Sequence, residues 1–320
     1  MSLICKLIWG DSYNSLRKIK SDSIHCVITS PPYYKLRDYK YTEQIGQEET
    51  SKLYIKRLVK VFDEVYRVLR EDGTLWINIG DTYGKNKSLM GIPWKLAFAL
   101  KKQGWILRQD IIWNKPNCVP ESTKDRCTKS HEYIFLLTKS SNYFFDNQAI
   151  KEKLIYNSDV AYRQQLRTNK IYNSKEPYKN NLPRSFDLEA KNRRSVWSIK
   201  VKPSKDSHIA VFPLELPTLC LKAGVSEKGC CKKCGKQIKR RTKIKNGAKI
   251  YKWKKTCECK TDKVKRCWVL DPFGGSGSTN LIAYMKYHNS IYIDAKLEYC
   301  KIAYRRLSNR IGIKIKRIKY

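Results

Sequence analysis

The residues with the clearest chemical potential are Thr29-Ser30-Pro31-Pro32-Tyr33. They follow the apolar run 24–28, Ile-His-Cys-Val-Ile, which predicts a short buried strand. Each proline fixes φ, removes an N–H donor and restricts the residue before it, so the turn after the strand is stiff. Free carbonyls, the Ser30 hydroxyl and the flat Tyr33 ring then suit a planar base that carries an amino group. Taken alone, the same residues are equally typical of an ordinary Pro-Pro turn.

A second stretch, 268–280, predicts a strand, a glycine loop and the start of a helix. Glycines let the backbone approach a ligand, and a helix start presents free N–H groups. The loop is not a phosphate-binding P-loop, because no Lys precedes its Ser-Thr pair, and Asn280 replaces the third glycine of the dinucleotide fingerprint. About 20 residues further on, a strand over 291–293 ends in Asp294, the usual position of a carboxylate that holds ribose hydroxyls.

Together the two stretches resemble the S-adenosylmethionine-dependent amino-methyltransferases that modify exocyclic nitrogens of DNA. The catalytic stretch precedes the cofactor stretch, as in the circularly permuted beta group of that family. Further matching motifs run through nearly the whole chain: Gly10-Asp11, 73–78, 113–117, 131–133, 192–197 and 208–213. The resemblance implies S-adenosylmethionine as cofactor and assigns its binding to Asp11, His208, Phe212, Pro213, Asp271, Phe273, Gly275, Gly277, Thr279 and Asp294. For Asp11 the alternative is a cap on the helix predicted from Ser12.

The resemblance also implies the chemistry of the Ser-Pro-Pro-Tyr motif, with Ser30, Pro31, Pro32 and Tyr33 as its catalytic residues. The Ser30 hydroxyl and the Pro31 carbonyl would hydrogen-bond the amino group of a base that is flipped out of the duplex and stacked on Tyr33. In this family Ser at the first motif position usually accompanies cytosine N4, and Asp accompanies adenine N6. We therefore expect cytosine-N4 methylation.

Four alternatives to cytosine-N4 methylation were weighed. Adenine-N6 methylation is the main alternative. An RNA or protein-amide methyltransferase and a non-catalytic zinc-ribbon DNA-binding protein are less favoured alternatives. Carbon-5 cytosine chemistry is disfavoured, because no Pro-Cys pair occurs in the sequence.

Composition agrees with a DNA-modifying enzyme. The 320 residues carry a formal net charge of +37, which favours a polyanionic partner, here double-stranded DNA. The 12 cysteines, in a chain without a recognisable export signal, predict reduced thiols, metal ligands and a cytoplasmic setting. No apolar run has membrane-spanning length. A monomer or homodimer is expected, with a cognate restriction endonuclease in the same cell as a candidate partner.

Cysteine spacing predicts a metal site in an insertion over 226–267. Cys231-Lys-Lys-Cys234 and Cys257-Glu-Cys259 form two close pairs, which suits a tetrahedral, structural zinc with four thiolate ligands. Cys230 is an alternative ligand, because the Cys-x-Cys spacing is tighter than usual. Reduced cysteines in a basic loop are the other interpretation.

Hydrophobic patterning predicts an α/β, Rossmann-like methyltransferase sheet of seven strands: 3–9, 24–28, 74–79, 106–113, 133–137, 269–270 and 291–293. Helices are predicted over 51–70, 94–102 and 297–309, followed by a solvated basic tail over 314–319. The domain assignment is a catalytic half (1–150), a target-recognition segment (151–207), a cofactor half (208–225 and 268–320) and a zinc-ribbon-like insertion (226–267).

Overall fold

The computed structural model describes residues 3–41, 43–153, 190–201, 212–245, 248–309 and 313–319. The chain divides into a large unit, 1–146 with 195–320, and a small unit, 147–194. Most of the predicted target-recognition segment, including Tyr162, Arg163 and Arg167, lies outside the described residues. In the small unit, Arg193 donates to the Ile150 carbonyl (2.8 Å) and Arg194 to the Glu152 carboxylate (2.7 Å).

Nine strands of the large unit form one sheet, in the order β15-β1-β14-β13-β2-β3-β5-β4-β8. Neighbouring strands are parallel except where β5 pairs antiparallel with β3 and β4. In chain order the strands of the protein are β1 (Leu3–Trp9), β2 (Ile24–Thr29), β3 (Leu69–Ile79), β4 (Ile106–Asn114), β5 (His131–Thr138), β6 (Glu152–Lys153), β7 (Ala190–Lys191), β8 (Val196–Ser198), β9 (Cys230–Cys231), β10 (Lys239–Lys245), β11 (Ala248–Lys254), β12 (Val264–Lys265), β13 (Trp268–Asp271), β14 (Asn289–Asp294) and β15 (Ile313–Lys319).

All seven predicted strands are present in this sheet, so the predicted α/β fold is confirmed. Two edge strands were missed. The basic tail prediction is wrong, because residues 313–319 pair with β1 over seven register positions. The run Ile-Lys-Ile-Lys-Arg-Ile-Lys alternates apolar and basic residues with the period of a strand, a pattern that its high charge obscured. β8 is only three residues long and extends the other edge beside β4.

Six helices lie among the described residues: α1 (Ser12–Arg17), α2 (Ser51–Val68), α3 (Ile92–Lys102), α4 (Glu215–Gly224), α5 (Ser278–Met285) and α6 (Leu297–Ser308). Helix α2 buries a stripe that includes Leu58, Phe62 and Val65. It ends at Val68 rather than at the predicted Arg70, because Leu69 already pairs with Ile24 of β2. No helix in the described part of the chain is long and apolar enough to cross a bilayer.

The strand order brings distant loops to one edge of the sheet. β1, β2, β13 and β14 run parallel, so the residues that follow them, from Asp11 to Asp294, meet at their carboxyl ends. β3 ends at the same edge. β5 is antiparallel and therefore begins there, with Ile79 opposite Tyr133. In open α/β sheets this edge is where ligands bind.

Candidate active site

The Ser-Pro-Pro-Tyr turn leaves β2 at this edge of the sheet. Ser30 Oγ donates to Tyr33 Oη at 3.3 Å, and the Pro32 carbonyl accepts from Tyr54 Oη at 2.7 Å. Among the described residues, no hydrogen bond to the Pro31 carbonyl is found. The turn therefore keeps one backbone acceptor beside the Ser30 hydroxyl, while Tyr54 holds the next carbonyl away.

Two side chains to which the sequence assigned no role, Glu132 and Asn78, hold the Tyr33 hydroxyl. Tyr33 Oη donates to Glu132 Oε2 at 2.5 Å and accepts from Asn78 Nδ2 at 2.8 Å. Asn78 also donates to the same Glu132 oxygen (2.8 Å), and Lys115 pairs with the other one. Burial and the Glu132 charge raise the pKa of Tyr33 well above its ordinary value. The tyrosine therefore stays a neutral donor.

The signal for these residues was present in the sequence. Asn78, Lys115 and Glu132 lie in the matching motifs 73–78, 113–117 and 131–133, to which no role had been given. Their positions at the ends of β3 and β4 and the start of β5 place them around Tyr33. Gly80 allows the ring to lie close, because a Cβ there would come within 2.8 Å of Tyr33 Cε2.

The glycine loop after β13 packs tightly against β14. A Cβ on Gly274 would lie 2.3 Å from the Tyr292 ring, and the Tyr292 hydroxyl donates to the Gly275 carbonyl at 2.7 Å. Gly277, the residue before α5, has φ +77°, a backbone conformation that few other residues adopt. The loop thus brings the backbone of Gly274 and Gly275 to the crevice wall, between Phe273 and Ser276.

Asp271 and Thr279, predicted to bind cofactor, make contacts within the protein. Asp271 is 1% exposed and accepts from Thr29 Oγ1 at 2.7 Å and from the Phe273 N–H at 3.1 Å. Burial raises its pKa to about 6. Thr279 Oγ1 donates to the Ile28 carbonyl at 3.2 Å. Both side chains tie the glycine loop to β2, the strand that leads into the Ser-Pro-Pro-Tyr turn.

Asp294 ends β14 with its carboxylate toward the crevice. The backbone N–H groups of Gly275 and Lys296 donate to its two oxygens, each at 2.8 Å. Burial raises its pKa to about 6, against the effect of those two hydrogen bonds. Asp11 lines the same crevice and also accepts from the Asn14 N–H at 2.9 Å, so it is a helix cap in addition.

A cavity of about 480 Å³ joins the two halves of the site. Ser30, Pro31, Pro32 and Tyr33 line one part, and Asn78, Lys115 and Glu132 line it beside them. Of the predicted cofactor residues, Asp11, Phe212, Phe273, Gly275 and Asp294 line it, whereas Pro213, Asp271, Gly277 and Thr279 do not; His208 lies outside the described residues.

The segment after the Ser-Pro-Pro-Tyr turn lines part of this cavity. Leu36, Arg37, Tyr39 and Tyr41 contribute to its lining, and the Tyr39 ring meets the Tyr299 ring edge-on at 6.2 Å between centroids. The base of the segment is tied by the Lys35 N–H to the Gly46 carbonyl at 2.7 Å. This segment is thus packed against α6, which contains Tyr299.

The four predicted metal ligands come together. The Sγ atoms of Cys231, Cys234, Cys257 and Cys259 all lie within 4.8 Å of one another. The Gly235 N–H donates to the Cys231 carbonyl at 2.9 Å, and Gly235 has φ +75°, as a tight knuckle requires. Cys230 lies elsewhere, in a buried group with His25 and Cys267. The structure thus separates Cys230 from the four-cysteine group.

Known DNA methyltransferases are similar to this chain over most of its length. The family N6_N4_Mtase, described as DNA methylase, matches residues 24–305. The Type II methyltransferase M.SmaI of Serratia marcescens is 36% identical over 96% of this chain and 91% of its own length. The Type II methyltransferase M.Cfr9I of Citrobacter freundii is 35% identical over 94% of this chain and 87% of its own length. Among solved structures, the cytosine-N4-specific PvuII DNA methyltransferase covers 94% of this chain and 86% of its own, with a TM-score of 0.62 and 17% identity.

Proposed function

This chain belongs to the N6_N4_Mtase family of DNA methylases, and we propose that it transfers a methyl group from S-adenosylmethionine to the exocyclic N4 of cytosine in duplex DNA. The observation that carries this proposal is the single cavity that connects Ser30 and the Pro31 carbonyl with Asp294 and the glycine loop. A methyl acceptor and a methyl donor bound in its two parts would lie side by side. Relatives named as Type II methyltransferases support a role in restriction-modification, beside an endonuclease that reads the same sequence.

The other part of the cavity has the groups that S-adenosylmethionine needs. Asp294 offers carboxylate oxygens for ribose hydroxyls, and the Phe273 and Phe212 rings suit the faces of an adenine. Gly275 brings bare backbone to the cavity wall, where a side chain would take space from the ligand. When bound, S-adenosylmethionine supplies a methyl group on a positively charged sulfur.

The polarity of the hydrogen bonds at Tyr33 prepares Ser30 to bind an amine. The Glu132 carboxylate only accepts hydrogen bonds, so the Tyr33 hydroxyl must donate to it. Tyr33 Oη is then left as an acceptor, and Ser30 Oγ donates to it. The lone pairs of Ser30 Oγ, together with the Pro31 carbonyl, remain available to accept both hydrogens of an exocyclic amino group.

These two acceptors make the target nitrogen a better nucleophile. The amino group of a base is a poor nucleophile because its lone pair is delocalised into the ring. Two hydrogen bonds from it to Ser30 and Pro31 favour a pyramidal nitrogen and localise the pair, so catalysis rests on positioning and electrostatics. The base must leave the duplex to reach them, and the Tyr33 ring, held by three partners, is the plate on which it stacks.

Ser30 supports cytosine over adenine as the target, because Ser at this motif position usually accompanies cytosine N4 in this family. The adenine-N6 enzymes usually have a carboxylate there, which is a stronger acceptor than a neutral hydroxyl. The experiment is to digest DNA from cells that express the protein and to separate the nucleosides by mass, with the Ser30→Ala variant as control. We expect N4-methylcytosine, absent with the variant. N6-methyladenine without N4-methylcytosine would overturn the choice of base and leave the mechanism in place.

We also propose that Cys231, Cys234, Cys257 and Cys259 hold one structural zinc ion. Four thiol sulfurs within 4.8 Å match the ligand number and type of such a site, and four protein ligands leave no position open for chemistry. The cluster is anchored on the main sheet. His25 Nε2 lies 3.0 Å from the Gly235 carbonyl, and the Gln237 N–H donates to Asp72 at 3.2 Å. A metal here would therefore stabilise the amino end of β2 as well as the insertion.

A further inference from the structure

A basic two-stranded ribbon, β10 with β11, is explained neither by methyl transfer nor by a structural metal. The two strands form a small sheet of their own. Half of residues 239–254 are Lys or Arg, and none is Asp or Glu. A ribbon needed only to enclose a metal site would not require this charge.

One face of the ribbon is anchored on the protein at its base, through Arg240. Residues opposite each other in an antiparallel pair lie on the same face, and here Arg240 lies opposite Trp253. The Arg240 guanidinium lies 4.5 Å from the centroid of the Trp253 ring. It also pairs with Asp146 at 3.0 Å and with Glu227 at 3.2 Å. The charge of Arg240 is thus neutralised within the protein.

On the other face, Lys239 at the base donates to the Tyr143 carbonyl at 3.2 Å, and the ribbon supplies no acidic residue to pair with the cations. Lys239 lies opposite Lys254, and Arg241 opposite Lys252. Arg241, Lys252 and Lys254 are exposed. Like charges placed directly opposite each other destabilise a strand pair. Burial, and then the Arg241 charge, lower the pKa of Lys239. The free ribbon therefore carries a repulsion that a polyanion would relieve.

The base of the ribbon lies at the opposite end of β2 from the catalytic turn. The cysteine pairs precede β10 and follow β11, so they close the hairpin at its base. Gly235, next to Cys234, contacts His25 near the start of β2, whereas Ser30 follows the end of that strand. Six strand residues span roughly 20 Å. Phosphates bound by the ribbon would thus lie away from the base that is methylated.

We propose that the face bearing Arg241, Lys252 and Lys254 binds the phosphate backbone of duplex DNA outside the site of methylation. The proposal rests on DNA being the substrate of this family, and charge complementarity selects the phosphates as the ligand. A two-stranded ribbon is also narrow enough to follow the DNA surface. Contacts of this kind add affinity that is independent of sequence and sensitive to salt.

The test uses the whole 320-residue chain, loaded with zinc, and a long duplex without a target site. Affinity is measured across a salt series for Arg241→Ala/Lys252→Ala and for the control Lys101→Ala/Lys102→Ala, which removes two exposed cations from α3. Two lost phosphate contacts should reduce the slope of log affinity against log salt by about 1.8. If those contributions vanish near 1 M salt, affinity at 0.1 M falls by up to about 60-fold.

The ribbon variant should keep its zinc content, its unfolding midpoint and its methylation rate at saturating target DNA. These readouts separate a failed ribbon proposal from a failed methylation proposal. A salt slope equal to that of the control would overturn the proposal, as would a lower methylation rate with an unchanged slope. If the alanine variant loses zinc or unfolds, Arg241→Gln/Lys252→Gln carries the same expectation, because Gln keeps the bulk of the side chains and removes their charge.

Discussion

Replacing Ser30 with Ala should remove most of the methyl-transfer activity at little cost to the fold. The only hydrogen bond that Ser30 Oγ makes among the described residues is the one to Tyr33, at 3.3 Å, and the group is partly buried. A typical intramolecular hydrogen bond contributes about 1 kcal/mol, and one this long should contribute less. The free energy of unfolding should therefore fall by about 1 kcal/mol or less.

The kinetic effect should be much larger, because Ser30 is proposed to accept a hydrogen bond from the reacting amine. Loss of one preorganised partner of a transition state typically costs on the order of 10²-fold in turnover, or about 2.7 kcal/mol. Ser30 lies in the acceptor half of the cavity, so the affinity for S-adenosylmethionine should be unchanged.

Three measurements on Ser30→Ala decide the matter: single-turnover methylation, calorimetric titration with S-adenosylmethionine, and denaturant unfolding. Ser23→Ala is the matched control, because Ser23 precedes β2 just as Ser30 follows it, and its Oγ donates only to the nearby Lys20 carbonyl. Tyr33→Ala should likewise lose activity and keep cofactor binding. If Ser30→Ala neither folds nor binds cofactor, or methylates at the control's rate, the catalytic assignment is refuted.

Two further predictions concern the metal and the cofactor site. Purified protein should contain about one zinc per chain, and Cys231→Ser should lose it while Cys127→Ser, outside the cluster, keeps it; zinc-free protein prepared without chelators would contradict the site. Affinity for S-adenosylmethionine should fall as the pH drops below about 6, because burial raises the pKa of Asp294 to about 6 and protonation removes an acceptor for ribose hydroxyls. The fall should approach tenfold per pH unit at most and be absent in Asp294→Asn, and a wild-type affinity that is flat from pH 7 to pH 5 would exclude this role.

Local sequence patterns predicted much of the structure of this protein. Seven strands of the sheet, the stiff turn at Pro31 and Pro32, the glycine loop and the two cysteine pairs all follow from residues that are neighbours in the chain. Side-chain periodicity, fixed φ angles and metal-ligand spacing each depend on only a few neighbouring residues, so they can be recognised in the sequence alone. The order of the motifs was then enough to indicate the family.

The tertiary structure decided which side chains meet. Tyr33 and Glu132 are 99 residues apart, and Tyr33 and Asn78 are 45 apart, yet all three share hydrogen bonds. Their meeting depends on β3 ending, and the antiparallel β5 beginning, at the edge where β2 ends. Strand order and direction are set by the packing of the whole sheet, which no local pattern encodes.

The same reason explains the residues whose positions could not be predicted. Asp271 turns to Thr29 because β13 lies beside β2, and Cys230 joins His25 and Cys267 rather than the four-cysteine cluster. β15 becomes a strand because β1 presents a free edge that residues 313–319 can pair with. In each case the deciding partner is far away in sequence, and only the folded sheet brings it within a few ångströms.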